Sequence, residues 1–309
     1  MRFISYLREH RTESYGLLHP DNFILDLPTA FAAEGRNAPA TLLAFIEAGD
    51  AAVRAARGLL AASSAPARLQ ISSAKLRAPL PRPARLRDAS LFLEHMEASL
   101  AKLGRTLDPA FRNQFIFYNA NHLAVHGTDE EIVWPPESNW IDYELELACV
   151  IGRAGYRIAP EEARNHIFGF TIFNDWSARD LQLDFMAAGL GPCGGKDLAN
   201  SLGPCIATLD ELPDIYDLAM TARINGELWS TGTTGSMFHR WEDALAHFSR
   251  LSPLIPGEVI GSGTVLGGCG FELDRRLQIG DFVELEIEGI GVLRNRVVRG
   301  LGADPALPS

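Results

Sequence analysis

Asp142-Tyr143-Glu144-Leu145-Glu146-Leu147, followed about thirty residues later by Asn174-Asp175-Trp176-Ser177-Ala178-Arg179-Asp180, is the stretch on which the reading of this chain turns. Side chains on a β-strand alternate faces, so Glu144 and Glu146 point one way while Tyr143, Leu145 and Leu147 pack on the other. Two carboxylates aimed at one point repel unless something positive lies between them. A hard divalent cation such as magnesium or calcium is the natural occupant, because it takes oxygen ligands, and Asp175 from a later element can complete the cage. The pattern alone leaves two plainer readings open: an amphipathic strand with its acidic face in water, and Asp175 as the cap of a following helix. Asp142 shares the acidic face and reads as solvated or as a support behind the ligands. A metal-dependent enzyme is the leading reading.

The totals set the outer bounds. A chain of 309 residues can bury a full core, and its length suggests one large domain plus a smaller one. Hydrophobic content of 47% and charged content of 22% describe an ordinary globular protein. The formal charge of −11, from 28 Lys and Arg against 39 Asp and Glu, argues against nucleic acid or an anionic membrane as partner. A small anionic substrate stays open if local cations or a metal overturn the global sign. Cys149, Cys193, Cys205 and Cys269 show no C-x-x-C spacing and are too sparse for a disulfide scaffold, which fits a reducing cytoplasm. The first ten residues hold no apolar targeting core, and no run is long and apolar enough to cross a membrane.

Residues 1–78 read as a small mixed unit, with strands around Arg2–Tyr6 and Phe23–Asp26 and helical patterns at Ala40–Ala48 and Ala51–Ala62. Pro79-Leu80-Pro81-Arg82-Pro83 breaks helices and imposes extended backbone, so residues 79–87 are expected to be a linker. Residues 88–309 then form the catalytic unit. Leu91–Leu103 looks helical, with Ser90 as N-cap and Gly104 as stop. Strands are expected at Glu144–Ile151, Ala219–Ile224, Val259–Ser262 and Phe282–Ile287, and Asn225-Gly226 marks a hairpin turn. A helix start at Ala159–Glu162 follows from its proline and acidic residues. The fold class is α+β and strand-rich.

Two motifs are decoys. Gly189-Leu190-Gly191-Pro192-Cys193-Gly194 matches G-x-G-x-x-G in form, but it follows no strand and carries a proline where a helix should open. Gly195-Lys196 lacks both the leading glycine and the trailing Ser or Thr of a phosphate loop. No H-E-x-x-H or G-x-S-x-G occurs. His122 and His126 have metal-pair spacing, but Gly127 and the acidic Asp129-Glu130-Glu131 indicate a turn there.

Taken together, the Glu144-Leu145-Glu146 strand, the segment Asn174–Gln182 and the tail Gly280-Asp281-Phe282-Val283-Glu284 with Gly289-Ile290-Gly291-Val292-Leu293-Arg294-Asn295 resemble the fumarylacetoacetate hydrolase family. The resemblance covers roughly residues 85–297. It implies a β-roll-like catalytic domain, Mg²⁺ or Ca²⁺ held by carboxylates with Mn²⁺ as a further candidate, a homodimer, and cleavage of 2,4-diketo acids. Its metal ligands carry onto Glu144, Glu146 and Asp175. In members like the eponymous hydrolase an Asp lies seven residues before a catalytic His, which carries onto Asp88 as fourth ligand and His95 as general base. The glutamate that orients the histidine carries onto Glu272, after Ser262-Gly263-Thr264 and Gly267-Gly268-Cys269-Gly270, across a loop shorter than the family's. Lys196 matches the charge-stabilising lysine, and Arg179 and Gln182 match polar positions of the site. Tyr118 and Arg105 are expected at the substrate, with Thr264 as a further contact. The tyrosine expected four residues after Gln182 is Met186, which removes a hydroxyl from the substrate pocket.

The resemblance therefore implies hydrolysis of a carbon–carbon bond in an acylpyruvate-type acid, with water activated by His95. The rival is a lyase or isomerase acting on a 2-keto acid on the same scaffold, which needs no water-activating pair. A metal-stabilised scaffold without turnover is the remaining reading.

Overall fold

The computed structural model describes residues 1–8, 12–62, 67–212 and 214–300; residues 301–309, the end of the expected catalytic unit, lie outside the described residues. The strand Leu145–Ile151 is buried along its whole length. Leu145, Leu147, Cys149 and Ile151 enter one hydrophobic core, and Ala148 and Val150 enter a second on the opposite face. A strand covered on both faces reads as a nearly continuous apolar run, and Glu146 is the exception. Full burial of each Leu or Ile contributes about 1.5–3 kcal/mol. A buried carboxylate without partners costs more than that, so Glu146 has to be compensated by its surroundings.

This strand sits inside a 12-stranded sheet. The main path runs Arg68–Gln70, Phe23–Asp26, Glu13–Leu18, Arg2–Leu7, Asn200–Ala207, Ile167–Asp175, Leu145–Ile151, Glu258–Gly261, Arg85–Ala89, Phe117–Asn119. Residues 1–78 thus extend the sheet of the rest of the chain, through Arg2 opposite Ala207 and Phe3 opposite Ile206. Phe3, Phe45 and Leu59 share the second core with Val150, Phe173 and Ile206. The Pro79–Pro83 stretch holds neither helix nor strand, yet Leu80 is buried and the strand Arg85–Ala89 already begins inside residues 79–87.

A second, five-stranded sheet runs Glu227–Thr233, Ala219–Ile224, Phe282–Ile287, Gly291–Arg299, Glu131–Trp134. Its hairpin turns at Asn225-Gly226, both at positive φ, as a two-residue turn with matching strand twist requires. The strand-rich α+β architecture read from the sequence is the one found.

Three local expectations are corrected. The strand drawn from Asp142 to Leu147 is two pieces, Ile141–Asp142 and Leu145–Ile151, with Tyr143 and Glu144 outside both. The helix begins at Leu93, and Ser90 is not its cap: the Ser90 N–H donates to the Ile116 carbonyl instead. The strand Glu13–Leu18 was not anticipated, because Gly16 interrupts its pattern; a Cβ there would lie 2.3 Å from the Leu25 carbonyl oxygen, so the close strand pairing demands glycine. Among the described residues no helix is long and apolar enough to cross a membrane.

Candidate active site

Sheet order puts Arg85–Ala89, Glu258–Gly261, Leu145–Ile151 and Ile167–Asp175 side by side. Asp88 lies in register with Gly261, which on its other edge faces Ala148, two residues from Glu146. Gly261 is the gap that lets the two acids meet: a Cβ at this position would stand 2.5 Å from Asp88 Oδ1 and 2.7 Å from Glu146 Oε2. Asp175, at the end of the next strand, closes the group. Asp88, Glu146 and Asp175 are all buried, and one oxygen of each lies within 4.8 Å of the others.

Burial, and next the charge of Asp175, push the Asp88 carboxyl up to about 7. Burial and then Asp88 raise Glu146 well above the usual range, while Asp175 is pushed up to about 6 by burial, with Lys196 opposing. The compensation supplied from the Gly263-Thr264 loop is modest. Gly263 N–H donates to Asp88 Oδ1 at 3.1 Å and to Glu146 Oε2 at 3.0 Å, and the Thr264 hydroxyl reaches Glu146 Oε1 at 3.4 Å. Asp175 Oδ1 is buried with no hydrogen-bond partner. Three convergent, proton-hungry carboxylates with an orphaned oxygen fit a hard divalent cation of the Mg²⁺, Ca²⁺ or Mn²⁺ kind.

Glu144 stands just outside this group. Because the strand is interrupted at Glu144, its N–H donates to Asn174 Oδ1 at 2.9 Å, and its carboxylate is held by Lys196 Nζ and by Arg179 Nη1 at 2.8 Å. Burial opposes its charge, but Lys196 and Arg179 overcome that and hold its carboxyl below the usual range. Lys196 Nζ also lies 2.6 Å from Asp175 Oδ2. Burial works against the ammonium, yet Asp175 and Glu144 outweigh it and raise its pKa.

His95 projects from the helix Leu93–Lys102, and its Nδ1 stands 3.1 Å from Glu272 Oε2. Glu272 belongs to the short helix Gly270–Leu273, so the orienting pair expected across the shortened loop is brought together. His95 lines a cavity of about 290 Å³ together with Asp88, Glu144, Lys196, Gln182 and Thr264. Tyr118 lines it too and donates to Asp175 Oδ2 at 2.6 Å. Phe92, Met96, Phe111, Ile116, Phe117 and Met186 supply an apolar part of the same lining. Arg179 does not line the cavity; its guanidinium is spent on Asp142, Glu144 and Gln182. Arg105 is exposed and likewise does not line it, so neither arginine is brought to the cavity lining.

Asp142 is the residue that strand alternation under-read. It is 1% exposed, and its carboxylate accepts from Arg179 Nε and Nη2 at 2.9 and 2.8 Å and from the N–H groups of Gly270 and Phe271 at 2.8 and 2.9 Å. One side chain thus ties the guanidinium beside Glu144 to the start of the helix that carries Glu272. Only the sharing of a face with Glu144 hinted at this. Cys269, whose Sγ lies 3.6 Å from Glu272 Oε2, gave no signal in the sequence.

The family model for the fumarylacetoacetate hydrolase C-terminal domain matches residues 90–298. The human mitochondrial oxaloacetate tautomerase FAHD2A is 34% identical over 264 residues, covering 84% of this chain and 80% of that protein. The solved structure of fumarylacetoacetate hydrolase from the psychrophile Exiguobacterium antarcticum has a TM-score of 0.76 at 27% identity, covering 97% of this chain and 100% of that one. Maleylpyruvate hydrolase from Sphingobium sp. SYK-6, solved with a manganese(II) ion and pyruvate, has a TM-score of 0.75 at 22% identity over 97% of this chain and 100% of its own. With its three-carboxylate group, its His95–Glu272 pair and a domain match spanning most of its length, the chain belongs to the fumarylacetoacetate hydrolase family.

Proposed function

We propose that the protein hydrolyses a carbon–carbon bond in a 2,4-diketo acid with an apolar acyl group. The observation that carries this reading is that His95, paired with Glu272, lines the same cavity as Asp88, one of the three clustered carboxylates. Asp88, Glu146 and Asp175 would hold the divalent cation, with Glu144 next to it, and the bound cation would supply Lewis acidity to the 2-oxo acid end of the substrate. Glu272 faces Nδ1, which leaves Nε2 of His95 to take a proton from water. The resulting hydroxide adds to the distal carbonyl carbon, and Lys196 offsets negative charge on the oxygen. Collapse breaks the carbon–carbon bond, its electron pair leaves with the pyruvate-like fragment, and His95 returns the proton. Among the described residues Lys196 is the only lysine or arginine lining the cavity, and it is already bound to Glu144 and Asp175. The aromatic and methionine wall therefore suits an uncharged acyl tail better than a second carboxylate.

The second reading is keto–enol tautomerisation of a 2-oxo diacid, favoured by the likeness to the human oxaloacetate tautomerase. It uses the same imidazole to move a proton at carbon and needs no water. The deciding experiment follows enol absorbance and pyruvate release from a panel of acylpyruvates with Mg²⁺ or Mn²⁺, beside enol-to-keto exchange of oxaloacetate, for wild type and His95→Ala. Metal-dependent pyruvate release lost in His95→Ala supports hydrolysis. Exchange of oxaloacetate with no pyruvate from any acylpyruvate overturns it. A homodimer in a reducing compartment such as the cytoplasm completes the proposal; a sedimentation mass near that of one 33.8 kDa chain would remove the dimer.

A further inference from the structure

Behind His95 lies a second set of metal-ligating atoms of a different chemical kind. Cys269 is fully buried and directly precedes the helix that carries Glu272. Its Sγ is 3.6 Å from Glu272 Oε2, which is itself 3.1 Å from His95 Nδ1, and one donor atom from each residue lies within 4.8 Å of the others. His95 Nδ1 and Glu272 Oε1 are buried atoms with no hydrogen-bond partner, and His95 is only 8% exposed. A tetrahedral zinc ion bonds nitrogen, oxygen and sulfur at about 2.0–2.3 Å, which brings its donors to separations of this order. Magnesium and calcium avoid thiolate and imidazole, whereas zinc favours both. The all-oxygen cage and this trio therefore sort cations by softness.

We propose that His95, Cys269 and Glu272 form an inhibitory site for zinc or a similarly soft divalent cation, distinct from the carboxylate cage. The ion takes Cys269 as thiolate and releases its proton to solvent, since burial otherwise holds the thiol well above its ordinary pKa. It also occupies the nitrogen and carboxylate that form the orienting pair, so turnover stops while magnesium remains in the cage. The inhibitory role rests on the catalytic reading of His95 given above; the binding site does not.

Cobalt(II), added to the magnesium-loaded full chain, is the spectroscopic probe. The expected result is a sulfur-to-cobalt charge-transfer band that persists in Cys193→Ser, the variant of the exposed cysteine, and vanishes in Cys269→Ser; Cys269→Ala reports the same loss should the serine variant fold poorly. Zinc should inhibit wild type at concentrations about 10–100-fold below those needed for Cys269→Ser, each protein measured against its own turnover in magnesium alone. Absence of the band, or equal zinc inhibition of both proteins, overturns the site and assigns zinc to the cage. A Cys269-dependent band without zinc inhibition overturns the inhibitory role and points to failure of the His95 reading rather than of the binding site.

Discussion

Divalent-cation binding should strengthen steeply between pH 6 and pH 8, because the carboxylates that receive the ion hold protons in its absence. Asp88 is pushed up to about 7 and Asp175 to about 6, and burial with the charge of Asp88 raises Glu146 well above the usual carboxylate range. At pH 6 about a tenth of Asp88 and about half of Asp175 is ionised, whereas at pH 8 about nine-tenths and nearly all are. Those two groups alone raise the apparent affinity by about 20-fold across the interval, and Glu146 adds to it. The metal-free protein should show the mirror image. A carboxyl that binds its proton more tightly folded than unfolded stabilises below its unfolded pKa, and that contribution is lost as pH rises through the folded value. For Asp88 the loss is on the order of 4 kcal/mol between about pH 4 and pH 8. Glu144, held down by Lys196 and Arg179, works in the opposite direction but only below about pH 4.5, so the two windows separate. Calorimetric titration of Mg²⁺ and Mn²⁺ at pH 6, 7 and 8, in two buffers of different protonation enthalpy, counts the protons released; melting curves with and without metal follow stability. A Kd unchanged across this range, with no protons transferred to buffer, would refute the assignment of these carboxylates as the ion's ligands.

Gly261→Ala places a methyl between Asp88 and Glu146, and the same calorimetry should find metal affinity about 10–100-fold weaker; unaltered affinity would show that the acids need no glycine gap. Lys196→Met leaves Glu144 and Asp175 short of counter-charge, so the metal-free form should lose about 3–5 kcal/mol in denaturant titrations, and kcat should fall by about 10²-fold; a small change in both would deny Lys196 either role. Asp142→Asn replaces an acceptor facing Arg179 by an amide nitrogen and slackens the seat of Glu272, with kcat expected about 10²-fold lower and metal affinity little changed. Wild-type kcat in a folded Asp142→Asn would remove its positioning role.

Much of the site was legible because it depends on local spacing. Alternation put Glu146 opposite Leu145 and Leu147, and Asp175 stood out within the segment Asn174–Gln182, so both acids were conspicuous wherever the rest of the chain lay. The resemblance, through its seven-residue step from an Asp to a His, pointed to Asp88 and His95, a strand residue and a helix residue that line one cavity. Helix Asp50–Ala62 and strands Ala219–Ile224 and Phe282–Ile287 followed their periodicity closely.

Other features were set by contacts between residues far apart in the chain. Alternation assigned Glu144 to the same cage as Glu146, but gave no hint that Lys196 and Arg179, which arrive from later elements, pair with its carboxylate. Asp142 read as solvated or as a support behind the ligands, and burial decides for the support, because Gly270, Phe271 and Arg179 converge on it across the fold. The prolines at 79–83 broke the local structure as expected, while the backbone ladder between Arg2–Leu7 and Asn200–Ala207 joins what precedes them to the main sheet. The sequence by itself determined which residue types and spacings the candidate site is built from, since residue type and strand period are local properties. Only the tertiary structure decided how they are shared among cage, ion pair and base, because burial and charge compensation are set by whatever the rest of the chain brings alongside.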